Sequence, residues 1–339
     1  MTVHTHHFLL FVFISFCYGN IVVDKFIYYD CNGLGPGNDS CYFQTAYNTR
    51  DCSVDSPCSR LFLYFCGGGM SVQDGNYDNR MNWWANQGYA TGVFQPFNSS
   101  DEAGKYPYFM EYARLSFMVQ QARDFYTSGG LWTGEYLVVA GISHGATAPP
   151  ISIAHNSGFK TSPNTWTGSI STAVVLFDGI SNPSAFDDWL SLSPSCYFQH
   201  GRTVARYGDG YPLEHSCNNH KCYCSNPSSK ESWINDTLVI GLEDPLSPYT
   251  CDSITLSSGK IYWYIVSCEG EGRPACGPYG DYVPSSQQSG LFNSIQQCTN
   301  IISEYYVDST CGHSACGSTH CGASKAQEFL DSVWGNSYK

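Results

Sequence analysis

The sequence predicts an α/β protein with a mostly parallel central sheet flanked by helices. Short apolar runs rich in β-branched and aromatic residues recur along the chain, which is typical of buried strands. Helix-like patterns lie between these runs, and this alternation favours parallel strands joined by helical crossovers. The predicted strands cover residues 61–65, 90–94, 136–140, 173–177, 261–266 and 303–307.

The helix-like patterns complete the predicted architecture. The clearest covers residues 108–126, where six apolar residues crowd one side of a helix. Further helices are predicted over 78–86, 287–301 and 323–334. Because no repeat period and no low-complexity linker divides the chain, we expect a single α/β domain.

The composition indicates a folded protein and argues against some partners. The chain has 339 residues, of which 42% are hydrophobic, so it contains enough apolar surface for a large core. Lys and Arg number 16 against 29 Asp and Glu, a formal charge of -13. Since phosphate-backbone binding needs a basic surface and no Lys/Arg cluster is visible, we expect no nucleic-acid partner.

The first residues resemble a secretory leader. Residues 8–17 form a ten-residue apolar run that is too short to span a bilayer. Cys17 and Gly19 supply small residues before a cleavage site. The sequence therefore predicts a signal peptide over 1–19 and a secreted domain over 20–339. Because no other run approaches the length of a membrane helix, we expect no transmembrane segment.

The cysteines also favour secretion. Of 17 cysteines, Cys17 leaves with the leader, and an even, high count in a secreted chain indicates disulfides. The sequence does not fix their connectivity. We expect local pairing within Cys31, Cys41, Cys52 and Cys58; within Cys217, Cys222 and Cys224; between Cys268 and Cys276; and within Cys311, Cys316 and Cys321.

Two Cys/His clusters superficially resemble zinc sites, one over residues 215–224 and one over 311–321. Neither has paired C-x₂-C spacing, and an oxidising compartment favours disulfides over thiolate ligands. We therefore expect no metal site, and nothing in the sequence indicates another cofactor.

Residues 183–259 break the alternation of strands and helices. They contain five cysteines, many turn residues and one strand-like run, 238–242. We interpret this stretch as a cysteine-rich insertion or cap over the carboxyl edge of the sheet. Asn38, Asn98 and Asn235 begin N-glycosylation triplets, which is consistent with surface loops of a secreted protein.

A candidate nucleophile follows the predicted strand 136–140. Gly141, Ser143 and Gly145 form a G-x-S-x-G pattern. A serine on a tight strand-to-helix turn needs small residues two positions away on either side, and both glycines meet that need. The strand 61–65 likewise runs into a glycine triplet at 67–69. We expect the N–H groups of Gly68, Gly69 and His144 to form an oxyanion hole.

A nucleophilic serine also needs a histidine base and a carboxylate that orients it. His313 follows the strand 303–307 and precedes the last helix, with His320 as the alternative base. For the carboxylate we favour Asp281, because a helix, a strand and then His313 follow it. Asp244 is the alternative acid, although an extra strand separates it from His313. Asp178, at the end of 174–177, is interpreted as structural.

Together these motifs resemble the α/β-hydrolase superfamily over residues 60–335. The glycine-rich loop, Gly-x-Ser143-x-Gly, Gly-Asp281-x-Val-Pro and Gly-His313-Ser follow the superfamily order Ser, Asp, His. The resemblance implies an eight-stranded, mostly parallel sheet, with Ser143 as nucleophile, Asp281 as acid and His313 as base. The chain departs from the esterase His-Gly-Gly-Gly motif by placing Cys66 where His is usual.

The function expected from this site is hydrolysis of small-molecule or polymeric carboxylic esters through an acyl-enzyme. Two alternatives stay open. The first is a serine peptidase on the same fold, because cleavage of esters and of amides leaves no separate mark in one sequence. The second is a secreted binding module with a hydrolase-like fold and no catalytic activity.

Overall fold

In a computed structural model of the chain, the described residues are 21–30, 40–67, 75–95, 112–147, 149, 170–179, 215–218, 221–224, 260–270 and 285–335. Eight strands form one sheet in the order β1-β2-β4-β3-β5-β6-β9-β10. β2 pairs antiparallel with β1 and with β4, and every other neighbouring pair is parallel. The strands are β1 (Ile21–Asp30), β2 (Ser40–Asn48), β3 (Cys58–Phe65), β4 (Tyr89–Gln95), β5 (Trp132–Ile142), β6 (Ser171–Phe177), β9 (Ile261–Cys268) and β10 (Ile301–Asp308).

The four α-helices of the described ranges lie on the two faces of this sheet. They are α1 (Gly75–Asn86), α2 (Tyr112–Ser128), α3 (Ser285–Ile295) and α4 (Ser324–Trp334). Leu61, Leu63 and Phe65 of β3 pack on the face with α2 and α3. Phe62 and Tyr64 pack on the other face with α1 and α4. Because β3, β6 and β9 are buried on both faces, their sequences are largely apolar and do not alternate.

The prediction of a mostly parallel sheet is confirmed, and each of the six predicted strands is a strand of this sheet. The prediction for α3 is wrong at its end, because the helix stops at Ile295 and not at 301. Ile301 instead begins β10, where it pairs with Ile261 of β9. Helices and strands both bury isoleucine, so an apolar residue at 301 does not by itself show which element it belongs to.

Two hairpins are absent from the sequence-based prediction. β1 and β2 form an antiparallel pair within residues 20–58, a stretch that contains four cysteines. β7 (His215–Asn218) and β8 (Lys221–Cys224) form a short hairpin within 183–259. The rest of that insertion, the predicted leader 1–19 and the acceptor residues Asn38, Asn98 and Asn235 lie outside the described residues.

Three disulfides join described cysteines: Cys52–Cys58, Cys268–Cys316 and Cys311–Cys321. The first and third fall within the expected groups. The expected pairing of Cys268 with Cys276 is wrong, because Cys268 is bonded to Cys316. Cys268 is the last residue of β9 and pairs with Asp308, the last residue of β10. The loop that follows β10 brings Cys316 back to the end of β9.

No helix in the described ranges is long and apolar enough to cross a membrane.

Candidate active site

Ser143 lies on a sharp turn between β5 and a 3₁₀ helix, Ser143–Thr147, and is half-buried. Its φ is 54°, in the left-handed region. The turn requires glycine on both sides. A Cβ on Gly141 would overlap the backbone carbonyl of Gly145, and a Cβ on Gly145 would overlap the carbonyls of Phe65 and Cys66. The G-x-S-x-G pattern therefore has a steric cause here.

Asp178 occupies the equivalent position on the neighbouring strand. It directly follows β6 and has a φ of 51°. Ile142 of β5 pairs with Phe177 of β6, so Ser143 and Asp178 each come one residue after a paired position. Neighbouring strands lie about 4.8 Å apart, which brings the two residues side by side at the carboxyl edge of the sheet.

Asp178 holds the imidazole of His313. The Nδ1 atom of His313 is 2.5 Å from Oδ2 of Asp178, and both side chains are buried. The other carboxylate oxygen, Oδ1, accepts a hydrogen bond from the backbone N–H of Cys268 at 3.3 Å. A carboxylate only accepts hydrogen bonds, so the hydrogen lies on Nδ1. The Nε2 atom of the neutral ring is then left as the proton acceptor.

A disulfide, a backbone hydrogen bond and a close packing contact fix the segment that carries His313. His313 begins a short 3₁₀ helix, His313–Ala315, beyond β10. The disulfide between Cys311 and Cys321 closes the surrounding loop. The N–H of Gly270 donates to the carbonyl of Cys311 at 2.8 Å. Gly317, with a φ of 76°, lies so close to Phe177 that a Cβ there would approach the ring to 2.9 Å.

The carboxylate bonded to His313 differs from the one that the sequence favours. Asp281 is the predicted acid and Asp244 its alternative, and both lie outside the described residues. Asp178, interpreted from sequence as structural, makes the hydrogen bond to the imidazole. A signal that could have identified it is one that Ser143 shares in the structure, a polar residue directly after a buried strand at the carboxyl edge of the sheet.

The alternative base and one of the three predicted oxyanion donors lie within the described residues. His320 lies in a π-helical turn, Thr319–Ala323, and its side chain is exposed, whereas the His313 side chain is buried. The backbone of His144 lies in the 3₁₀ helix that begins at Ser143. Gly68 and Gly69 lie outside the described residues. Gly67, which precedes them, would place a Cβ 3.6 Å from Cβ of Ser143, so the glycine triplet begins in contact with the serine.

The eight-strand order with an antiparallel second strand, and the serine turn after the fifth strand, define the α/β-hydrolase fold. The chain has this fold. No protein-family model and no curated protein gives a significant match to the sequence.

Solved structures that resemble the chain include both esterases and peptidases. The butyrate-bound esterase Est2 of Thermogutta terrifontis has a TM-score of 0.55 at 12% identity, covering 93% of this chain and 96% of that one. An inhibited esterase B from Lactobacillus rhamnosis has a TM-score of 0.52 at 10% identity, covering 93% and 90%. An acylaminoacyl peptidase of Pyrococcus horikoshii has a TM-score of 0.51 at 12% identity, with 95% of this chain covered. This chain spans only 43% of the peptidase's length.

Proposed function

We propose that this protein is a secreted serine hydrolase that cleaves carboxylic esters. Ser143 is the nucleophile, His313 the general base and Asp178 the carboxylate that orients it. The observation that carries the proposal is the buried hydrogen bond between His313 and Asp178, since Asp178 lies beside the strained turn of Ser143. A nucleophile, a base and an orienting acid at one sheet edge are the parts that covalent acyl transfer requires.

The proposed reaction passes through an acyl-enzyme. Oγ of Ser143 attacks the ester carbonyl while Nε2 of His313 takes the serine proton. The imidazolium then gives that proton to the departing alkoxide, which leaves as the alcohol. Water attacks the acyl-serine, His313 accepts a proton from the water, and the same proton returns to Oγ as the acid is released.

Asp178 contributes by stabilising the imidazolium that forms in each step. Its carboxylate is fully buried and keeps its second oxygen occupied by the Cys268 N–H, so little reorganisation is needed when the ring becomes charged. The N–H groups of His144, Gly68 and Gly69 are the proposed oxyanion donors, each worth roughly 2.7–4 kcal/mol in transition-state stabilisation. The contact between Gly67 and Ser143 supports this assignment.

The assignment of Ser143 is tested by Ser143→Ala. We expect kcat for p-nitrophenyl esters to fall by at least about 10³-fold, because the covalent step is lost. A fluorophosphonate probe should label the wild type at Ser143 and leave the variant unlabelled. Thermal unfolding serves as the control for folding. A folded Ser143→Ala variant with near wild-type turnover would exclude Ser143 as the nucleophile.

The substrate class is tested on the purified mature protein with activated esters, acetylated sugars, polyesters and peptide amides. Preferential hydrolysis of esters supports the proposal. Preferential cleavage of peptide amides would favour the peptidase alternative, since the same three residues can attack an amide. Absence of both turnover and fluorophosphonate labelling would favour a binding module.

The proposed secretion is supported by the leader-like segment and by the three described disulfides, which persist in oxidising compartments. Amino-terminal sequencing of the protein exported by a eukaryotic host should begin at Asn20. Retention of the intact chain inside the cell would contradict this part of the proposal.

A further inference from the structure

The Cys268–Cys316 disulfide connects the two members of the buried pair. Cys268 donates its backbone N–H to Oδ1 of Asp178 at 3.3 Å, and its sulfur is bonded to that of Cys316. Cys316 in turn donates its N–H to the carbonyl of His313 at 3.1 Å, closing the short 3₁₀ helix. A single covalent link therefore joins a residue that contacts the acid to a residue that contacts the backbone of the base.

The topology explains why such a link matters. Asp178 follows β6 and His313 follows β10, and β9 lies between these two strands. His313 lies on a loop beyond the end of β10, where no strand pairing fixes its height above the sheet. A general base must be held to within about 0.5 Å of its productive position. The disulfide ties this loop back to the last residue of β9, directly beside Asp178.

The other attachments of this loop either reach elsewhere or are hydrogen bonds. The N–H of Gly270, two residues after Cys268, donates to the carbonyl of Cys311 at 2.8 Å, but this link is not covalent. Cys311–Cys321 closes the loop on itself. Nη2 of Arg80 donates to the carbonyl of Cys316 at 3.1 Å, which links the loop to α1 and not to the strand beside Asp178. Both Cys268 and Cys316 are fully buried in the apolar layer under α4, so the link is rigidly packed.

We propose that the Cys268–Cys316 disulfide positions His313 against Asp178, and that ester hydrolysis depends on it. This inference rests on the proposed function. The two cysteines are positioning residues, because neither side chain is assigned a contact with substrate. Cys52–Cys58 provides a matched control. Cys58 lies at the amino end of β3, whereas Gly67 and Ser143 lie beyond the carboxyl ends of β3 and β5.

The test compares Cys268→Ala/Cys316→Ala with Cys52→Ala/Cys58→Ala, each measured for kcat, KM and the far-downfield NMR signal of the His313 Nδ1 proton. In the first variant we expect at least a tenfold loss of kcat with KM changed less than twofold, and loss or broadening of the signal. In the control we expect kcat within twofold of wild type and an unchanged signal, with lower thermal stability.

Folding is checked for both variants by circular dichroism. If the first variant does not fold, Cys268→Val/Cys316→Ala, which restores most of the lost volume, takes its place. A folded variant that keeps either the kcat or the proton signal of the wild type would overturn the proposal. If neither Cys268→Ala/Cys316→Ala nor Cys268→Val/Cys316→Ala folds, the proposal is also overturned, because the disulfide would then act through global stability.

The NMR measurement separates this inference from the proposed function. If the wild type hydrolyses no ester, the proposed function fails, but the downfield proton still reports the pairing of His313 with Asp178. Its loss in the first variant alone would support positioning by the disulfide. Its persistence there would contradict positioning whatever the activity.

Discussion

Ser143 and Asp178 are the two non-glycine residues with left-handed backbone in the described part of the chain. Such a conformation costs roughly 1–2 kcal/mol for a residue with a Cβ. The pairing of Ile142 with Phe177 and the packing of the following turns hold both residues in place. A Cβ on Gly179 would approach Cβ of Ala146 to 2.6 Å, so the two turns pack directly against each other. Strain of this kind concentrates at functional sites.

The role of Asp178 is tested by Asp178→Asn. Asn tolerates the left-handed backbone, so the fold should persist, but its amide cannot stabilise the imidazolium. We expect kcat for activated esters to fall by about 10³–10⁴-fold. Asp281→Asn and Asp244→Asn are the matched variants and should retain most of the activity. A large loss in one of these two, with Asp178→Asn active, would assign the acid to that residue.

The close approach at the serine turn is tested by Gly145→Ala. The added methyl would overlap the carbonyls of Phe65 and Cys66, so the turn must shift. We expect a loss of about 1–3 kcal/mol in the free energy of unfolding. A displacement of Ser143 by about 1 Å should lower kcat by about 10²-fold. Urea unfolding and ester turnover measure the two effects, and wild-type values in both would show that the turn is not constrained.

At the scale of elements, α3 contains a glycine whose replacement by alanine should stabilise the protein, in contrast to Gly145. Gly290 lies within this helix, and a Cβ there would have no neighbour within 4 Å. Gly290→Ala should therefore raise the free energy of unfolding by about 0.5–1 kcal/mol, because alanine has the higher helix propensity. The same urea series measures it. A destabilised Gly290→Ala would contradict the open environment described for this helix face.

A buried cation joins β3 to the carboxyl end of α4. Nη1 of Arg60 donates to Asp331 at 2.6 Å, and Nη2 donates to the carbonyl of Gly335 at 2.8 Å. The guanidinium also lies over the rings of Tyr89 and Trp334, at 5.5 and 5.8 Å. The last helix is therefore fixed to the centre of the sheet by polar as well as apolar contacts.

This connection predicts that Arg60→Met lowers the free energy of unfolding by about 1.5–3 kcal/mol, because Asp331 loses its charged partner but keeps some solvent exposure and the hydrogen bond from Gln327. The double variant Arg60→Met/Asp331→Leu should recover part of that loss. Chemical denaturation of both variants gives the comparison. Equal stability of the single and double variants would contradict this prediction, because the unpaired Asp331 would then carry no cost.

At the scale of elements, the sequence predicts what depends on local pattern. β3, β6 and β9 contain continuous apolar runs because helices cover both faces of the sheet, so their composition alone identifies them. The end of α3 and the β1–β2 hairpin depend on which segment pairs with which. The pairing of Cys268 with Cys316, and of Asp178 with His313, joins positions far apart in sequence, and no local pattern encodes it.

At the scale of the whole molecule, buried tyrosines connect stability to alkaline pH. Burial raises the pKa of Tyr64 to about 12, and burial also raises the pKa of Tyr89 and of Tyr264. A raised pKa in the folded state means that the fold favours the neutral hydroxyl. The stabilisation is therefore complete below about pH 10 and is lost as the pH rises from about 10 towards 12.

The corresponding prediction is a lower free energy of unfolding at about pH 11 than at about pH 8, with Tyr64 contributing up to about 3 kcal/mol at the alkaline limit. Tyr64→Phe should reduce this pH dependence. Urea unfolding at each pH is the measurement, and a thiol assay confirms that the disulfides stay intact. Identical pH dependence in wild type and Tyr64→Phe would exclude Tyr64 as a source.

The separation of Asp178 and His313 by 135 residues has a consequence for biosynthesis. At a translation rate of about 5–20 residues per second, the ribosome adds the imidazole roughly 7–27 s after the carboxylate. A nascent chain would therefore hold its serine and its aspartate for many seconds without the base. The proposed hydrolase would stay inactive until residue 313 has been synthesised and has folded onto the edge of the sheet.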